Sequence, residues 1–98
     1  NDVMALGVQE AINASKKDIL VVGVDGTKEA YDSIKKGELD ATVDSFPKYK
    51  GQIAVEMALR TLGGQQLPRV IWTPQALIDS TNVNEPAEKI ISWKEPVF

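Results

Sequence analysis

Asp25 stands where the apolar run Ile19-Leu20-Val21-Val22-Gly23-Val24 stops and a helical pattern begins, so a carboxylate is placed at the mouth of a buried strand. An acid there has three ordinary uses. It can share a proton with a second carboxylate in acid/base catalysis, it can take a phosphoryl group beside Mg²⁺, or it can accept hydrogen bonds from ligand hydroxyls. Asp44 and Asp79 are the other acids at strand ends, but nothing in the spacing brings them together, so a paired-carboxylate mechanism is not expected. Phosphoryl acceptance needs further acids for the metal and a lysine near the phosphate. No acidic pair precedes the run, and Lys48 follows Pro47 in the wrong context. The sequence contains neither Cys nor His, which removes thiol and imidazole chemistry and the zinc sites built on those ligands. No catalytic residue, metal or cofactor is expected. Two readings of Asp25 remain, an acceptor for hydroxyls and a helix-start acid that favours the positive end of the helix dipole.

The chain has 98 residues, of which 43% are apolar and 26% charged, the balance of one ordinary globular domain or part of one. A net charge of −3 without a cluster of Lys or Arg excludes a basic face for phosphates, so nucleic acid is not an expected partner. No apolar run approaches the ~18 residues that cross a bilayer, so no membrane insertion is expected. The sequence opens at Asn1 with no initiator Met, which reads as a processed product or a fragment.

Alternating elements must position Asp25. Met4, Val8, Ala11 and Ile12 recur at three- and four-residue steps and predict a helix over 1–17 with Asn1 as its cap. The run 19–24 predicts a strand covered on both faces. Thr27 can cap a second helix ending near Lys36, where Gly37 supplies a left-handed stop. Residues 40–44 predict the next strand, and Pro47 starts a third helix to Leu62, with Ile53, Ala54, Met57, Ala58 and Leu62 as its buried stripe. Brief apolar runs at 70–72 and 76–78 flank Thr73-Pro74-Gln75, where a bend or crossover is expected. Asn82 can cap a last short turn. This grammar implies an α/β fold, a parallel sheet with flanking helices and right-handed crossovers, whose ligands bind beyond the carboxyl ends of the strands.

The segments NDVMALGVQEAINAS, DILVVGVDGTKEAYDSIKKGELDATVDSFP and GQIAVEMALRTLGGQQLP together resemble the C-terminal part of type I periplasmic binding proteins, the ribose-binding-like sugar-binding proteins of bacterial ABC transporters. The resemblance covers residues 1 to about 83. It implies the C-terminal portion of a two-lobed fold joined by three hinge segments, in which residues 1–45 and about 75–98 belong to one lobe while 46–74 cross to the other. It also implies a non-enzymatic solute-binding component that holds a monosaccharide between the lobes and delivers it to the permease subunits of the transporter. The N-terminal part of the same protein would be a further partner. The location would be periplasmic or extracellular, with a lipid anchor on the parent protein also compatible.

By the same resemblance, Asn1 and Asp25 match cleft positions that hydrogen-bond sugar hydroxyls, and Ser45 takes a place where the family often has Gln. Ser45 is too short to span the gap that Gln spans, so either a water fills it or the pocket admits a different or larger sugar. Phe46, Trp72 and Trp93 are weighed as stacking rings, yet none has a clear match in the family, packing is the favoured reading of Trp72, and all three are left out of the site. One alternative stays open: a ligand-sensing domain of a LacI-type regulator shares the fold, although IKKGELDATV resembles the transporter branch. A response-regulator receiver is set aside, because the acids and lysine it needs are missing.

Overall fold

The computed structural model describes residues 1–97. Seven elements follow one another: α1 (Asp2–Ser15), β1 (Val22–Asp25), α2 (Lys28–Lys35), β2 (Ala41–Asp44), α3 (Pro47–Leu62), β3 (Ala76–Asp79) and α4 (Ala87–Ile90). The expected caps are in place. Asn1 Oδ1 accepts from Met4 N at 3.0 Å, Thr27 Oγ1 accepts from Ala30 N at 3.2 Å, and Gly37 turns the chain at a φ of 77°. Each satisfies a backbone group that a helix end would otherwise leave without a partner. Asn82 Oδ1 accepts from Asp79 N at 2.9 Å and closes the turn after β3.

The sheet has the order β1-β2-β3. β1 and β2 are parallel, as expected for strands joined through a crossover helix, with Val22 opposite Ala41 and Asp25 opposite Asp44. β3 departs from the expected all-parallel sheet and runs antiparallel to β2, pairing Ala76 with Asp44 and Asp79 with Ala41. The reason lies in α3, which carries the chain away from the carboxyl ends of the strands, so that it re-enters past Pro74 at that same end. The run 70–72 forms no strand of the sheet; Val70 instead pairs with Val97 in an isolated antiparallel bridge.

Both α1 and α2 lie on one face of this sheet, and the core between them is Ala5, Val21, Ala30, Ile34, Leu39, Ile78 and Val83. Two expected apolar faces come out differently. In α1 the buried positions are Asp2, Ala5 and Gln9, whereas Met4 and Val8 face solvent, because the helix is rotated to bring Asp2 onto the sheet. In β1 only Val21, just before it, and Gly23 are buried; Val22 and Val24 stay open, because no described element covers the second face of the sheet. Leu77 of β3 is exposed on that face too.

Helix α3 occupies its expected span, but it buries none of its residues, and Leu62 of its expected stripe is 85% exposed. The molecule is accordingly drawn out, 58 × 24 × 20 Å with a radius of gyration of 17.0 Å, where a compact chain of this length would have about 13 Å.

Asp2 ties α1 to the sheet. Its side chain is wholly buried and accepts from Thr42 Oγ1 at 2.6 Å, Gly26 N at 2.9 Å and Thr27 N at 2.8 Å. Gly23 lies so close beneath it that an added Cβ would strike Asp2 Oδ1. Replacing Asp2 by Ala strands three donors in the interior, each worth ~1–3 kcal/mol when left unmet. We expect Asp2→Ala to lower unfolding free energy by about 3–5 kcal/mol in denaturant titration. Gly23→Ala should destabilise through the clash; a midpoint unmoved by both changes would refute the role given to Asp2.

Candidate functional site

The carboxyl ends of β1 and β2 meet in a small polar node built from two enclosed carboxylates with one exposed turn between them. The turn is Asp25-Gly26, and both residues have positive φ, 134° for Asp25 and 80° for Gly26. Gly26 adopts this freely, but for Asp25 such a backbone costs on the order of 1–3 kcal/mol and persists only when its surroundings impose it. Asp2 supplies that constraint on one side through the two amides following Asp25. Asp44 supplies it on the other, where its carboxyl group lies against Gly26 and leaves no room for a Cβ.

Asp44 is itself buried, and both of its oxygens are engaged: Tyr31 donates its hydroxyl to Oδ2 at 2.7 Å, and Phe46 N donates to Oδ1 at 2.7 Å. Burial, then the bond to Asp44 and its negative field, pushes the Tyr31 hydroxyl well above the ordinary phenol range. Phe46 is also held at positive φ, 46°, a conformation that costs a side-chain-bearing residue roughly 1–2 kcal/mol. Its ring is buried and meets Tyr49 edge-on, with centroids 6.4 Å apart.

The three expected site residues stand around this node. Asn1 precedes Asp2, Asp25 precedes Gly26 and Ser45 follows Asp44, so the bonds among Asp2, Gly26 and Asp44 gather all three at one end of the sheet. Asp25 is exposed and its carboxylate accepts no hydrogen bond from the described residues. Asn1 is exposed; its Oδ1 serves as the cap of α1, which leaves its amide N–H groups to face outward. Ser45 is half-buried. Polyols present adjacent hydroxyls that both donate and accept, and an open carboxylate, an amide donor and a hydroxyl together match that pattern.

Asp79 stands apart, since it pairs with Ala41 while Asp44 pairs with Ala76 at the opposite end of the same ladder. Its carboxyl group is held below the usual range by the Thr81 hydroxyl, which it accepts together with Thr81 N. Trp72 and Trp93 line a different groove, of about 500 Å³, between segments 70–75 and 92–94. There Lys94 Nζ sits 4.9 Å from the centre of the Trp72 ring.

Reading from the sequence missed Asp2, Tyr31 and the enclosure of Asp44. Asp2 was legible in part: an acid directly after a capping Asn, in a helix whose first turn must abut the end of a strand, can serve the amides of a neighbouring turn. Tyr31 gave no signal, because its partner is 13 residues away on another element.

Comparison with known proteins places this geometry in a wider set. The sequence pattern of the family described as "Periplasmic binding protein domain" matches residues 1–66. The chain is 49% identical over 77 residues to the ribose import binding protein RbsB of Bacillus subtilis, covering 79% of this chain and 25% of that protein. It is 32% identical over 94 residues to the D-galactose/methyl-galactoside binding periplasmic protein MglB of Haemophilus influenzae, covering 87% of this chain and 28% of that protein. Among solved structures, an ABC transporter periplasmic solute binding protein from Actinobacillus succinogenes with bound D-allose superposes with a TM-score of 0.81 at 31% identity, covering 88% of this chain and 31% of its own. A solute binding protein from Mycobacterium smegmatis with bound glycerol gives a TM-score of 0.75 at 27% identity, covering 100% of this chain and 33% of its own. The chain therefore spans about a quarter to a third of the length of these relatives.

The raised Tyr31 hydroxyl makes a pH prediction. Its folded value lies above the ordinary phenol value of about 10, so the stability it contributes is complete below about pH 10 and is lost as pH rises toward the folded value. Denaturant titrations from about pH 8 to about pH 11 should show Tyr31→Phe less stable than the parent at the lower end and flatter across the alkaline limb. Parallel curves would mean that the hydroxyl does not titrate with folding.

Proposed function

Because the chain belongs to the periplasmic binding protein family, in its ribose-binding-like type I branch, we propose that it is the C-terminal part of the solute-binding component of a bacterial ABC sugar importer. The parent protein binds one monosaccharide between two lobes and delivers it to the membrane permease subunits. Asn1, Asp25 and Ser45 are the contacts this chain contributes. The observation that carries the reading is Asp25, whose carboxylate is open to solvent on a backbone that two buried carboxylates hold at positive φ. Strain fixed around an unengaged acceptor is costly for folding alone, and a ligand hydroxyl gives it a use.

In this arrangement residues 1–45 and about 75–98 belong to one lobe and 46–74 cross to the other. The absence of any buried residue in α3 supports that division, as does the return of β3 to the sheet beyond Pro74. The rest of the parent protein is the partner that covers α3 and the open face of β1. The setting is the periplasm or the outer surface of the cell.

Titration calorimetry on the two-lobed parent tests the site. A hydrogen bond to a charged acceptor is worth ~1.5–3 kcal/mol, so Asp25→Ala should weaken the preferred pentose or hexose by at least about tenfold while leaving folding intact. Unchanged affinity would return Asp25 to a purely structural role. The chain by itself supplies three polar contacts to a cleft that needs two lobes, and it should bind sugar weakly or not at all. Adding the separately prepared N-terminal part should restore binding and sharpen thermal unfolding. Micromolar sugar binding by the isolated monomer would refute the two-lobed account.

A further inference from the structure

Helix α3 leaves the body at its N-terminal end. None of its 16 residues is fully buried and only Tyr49, Ile53 and Met57 are half-buried, so packing along the helix is too thin to fix its direction by itself. What fixes it is the geometry of Ser45-Phe46. Phe46 sits at a φ of 46°, buries its ring, and receives the first link of the helix, Lys50 N donating to Phe46 O at 3.0 Å. The Phe46 amide is bound in turn to Asp44 Oδ1, and the other oxygen of that carboxylate is bound to the Tyr31 hydroxyl on α2. The chain of contacts from α2 to α3 therefore runs phenol, carboxylate, amide.

We propose that Tyr31 and Asp44 are positioning residues that set the direction in which α3 leaves the sheet, and with it the angle between the two lobes. The meaning for sugar binding rests on the two-lobed reading above; the geometry of the joint does not. Asp44 suits this role because its carboxyl group also lies against Gly26, directly after the ligand contact Asp25. One rigid carboxylate is thus in contact with both the ligand-bearing turn and the joint. A sugar that pulls on Asp25 shifts the backbone against which Asp44 is braced, and Asp44 passes that shift to Phe46. Removing the phenol hydroxyl frees one oxygen of Asp44 and loosens the carboxylate about its remaining bond.

The chain lacks Cys, so paired labels can be introduced without background. Lys35→Cys on α2 and Ala58→Cys on α3 are exposed positions for nitroxide spin labels, and pulsed electron paramagnetic resonance then reports the distance distribution between the two helices in the full chain. Tyr31→Phe should shift or broaden that distribution at temperatures well below unfolding. Asp44→Ala should do so more strongly, and if it fails to fold the single-hydroxyl change carries the test alone. Val83→Ala lowers stability from within the core at a residue outside α2, α3 and the joint, and should leave the distribution as in the parent. A distribution unchanged by Tyr31→Phe, or changed equally by Val83→Ala, would overturn the proposal. No sugar enters the measurement, so its failure is separate from a failure of the sugar-binding reading.

Discussion

The carboxylate of Asp2 is the group to which three separate elements are fastened. It lies at the first turn of α1, yet its acceptors are spent on the amides that begin α2 and on a hydroxyl of β2. A fully buried acid is tolerated only when its acceptor capacity is met, and here the chain's own donors meet it. Much of the local architecture follows. The rotation of α1 is fixed by the need to place Asp2 over Gly23, so Ala5 and Gln9 turn inward and Met4 and Val8 outward. The turn after β1 is held in a backbone that Asp25 would not adopt unassisted.

The second constraint is what the chain does not cover for itself. Helices lie on one face of the sheet, and Val22, Val24 and Leu77 are left open on the other. Helix α3 shows Val55, Leu59 and Leu62 to solvent. Apolar surface on this scale marks faces made for contact, and the chain spans only a quarter to a third of its relatives. The extended shape has its cause in the turn at Phe46, which carries α3 out of the body and away from the described elements that could cover it.

The elements themselves were legible in the sequence. Asn1 and Thr27 announce their helices, Gly37 marks an end, and Pro47 starts α3 where it should. Local chemistry suffices for such signals because each partner lies within four residues. The inward face of α1 was not legible, since its apolar period points to Met4 and Val8 and only a contact with Gly26, 24 residues away, reverses it. The direction of β3 was hidden for a similar reason: an apolar run records that a strand forms but not the end from which it enters the sheet. The gathering of Asn1, Asp25 and Ser45 at one end of the sheet was legible, through Asp25 at a strand mouth and the family resemblance of Asn1 and Ser45. Its support through Asp44 and Tyr31 was not, because Asp44 could be paired with anything until the register of β1 and β2 was known.

Three aspartates gather at this end of the sheet, and burial divides their labour. Asp2 and Asp44 have both oxygens committed to donors within the chain, so a ligand hydroxyl would have to displace an internal bond and leave a donor stranded in the interior. Asp25 has no such commitment among the described residues, and it is the one of the three that solvent reaches. The one open carboxylate of the three therefore has its position set by the two closed ones. The same division separates affinity from shape. Under the sugar-binding proposal, change at Asp25 alters what is bound, whereas change at Asp2 or Asp44 alters where Asp25 is held, and change at Asp44 also reaches Phe46.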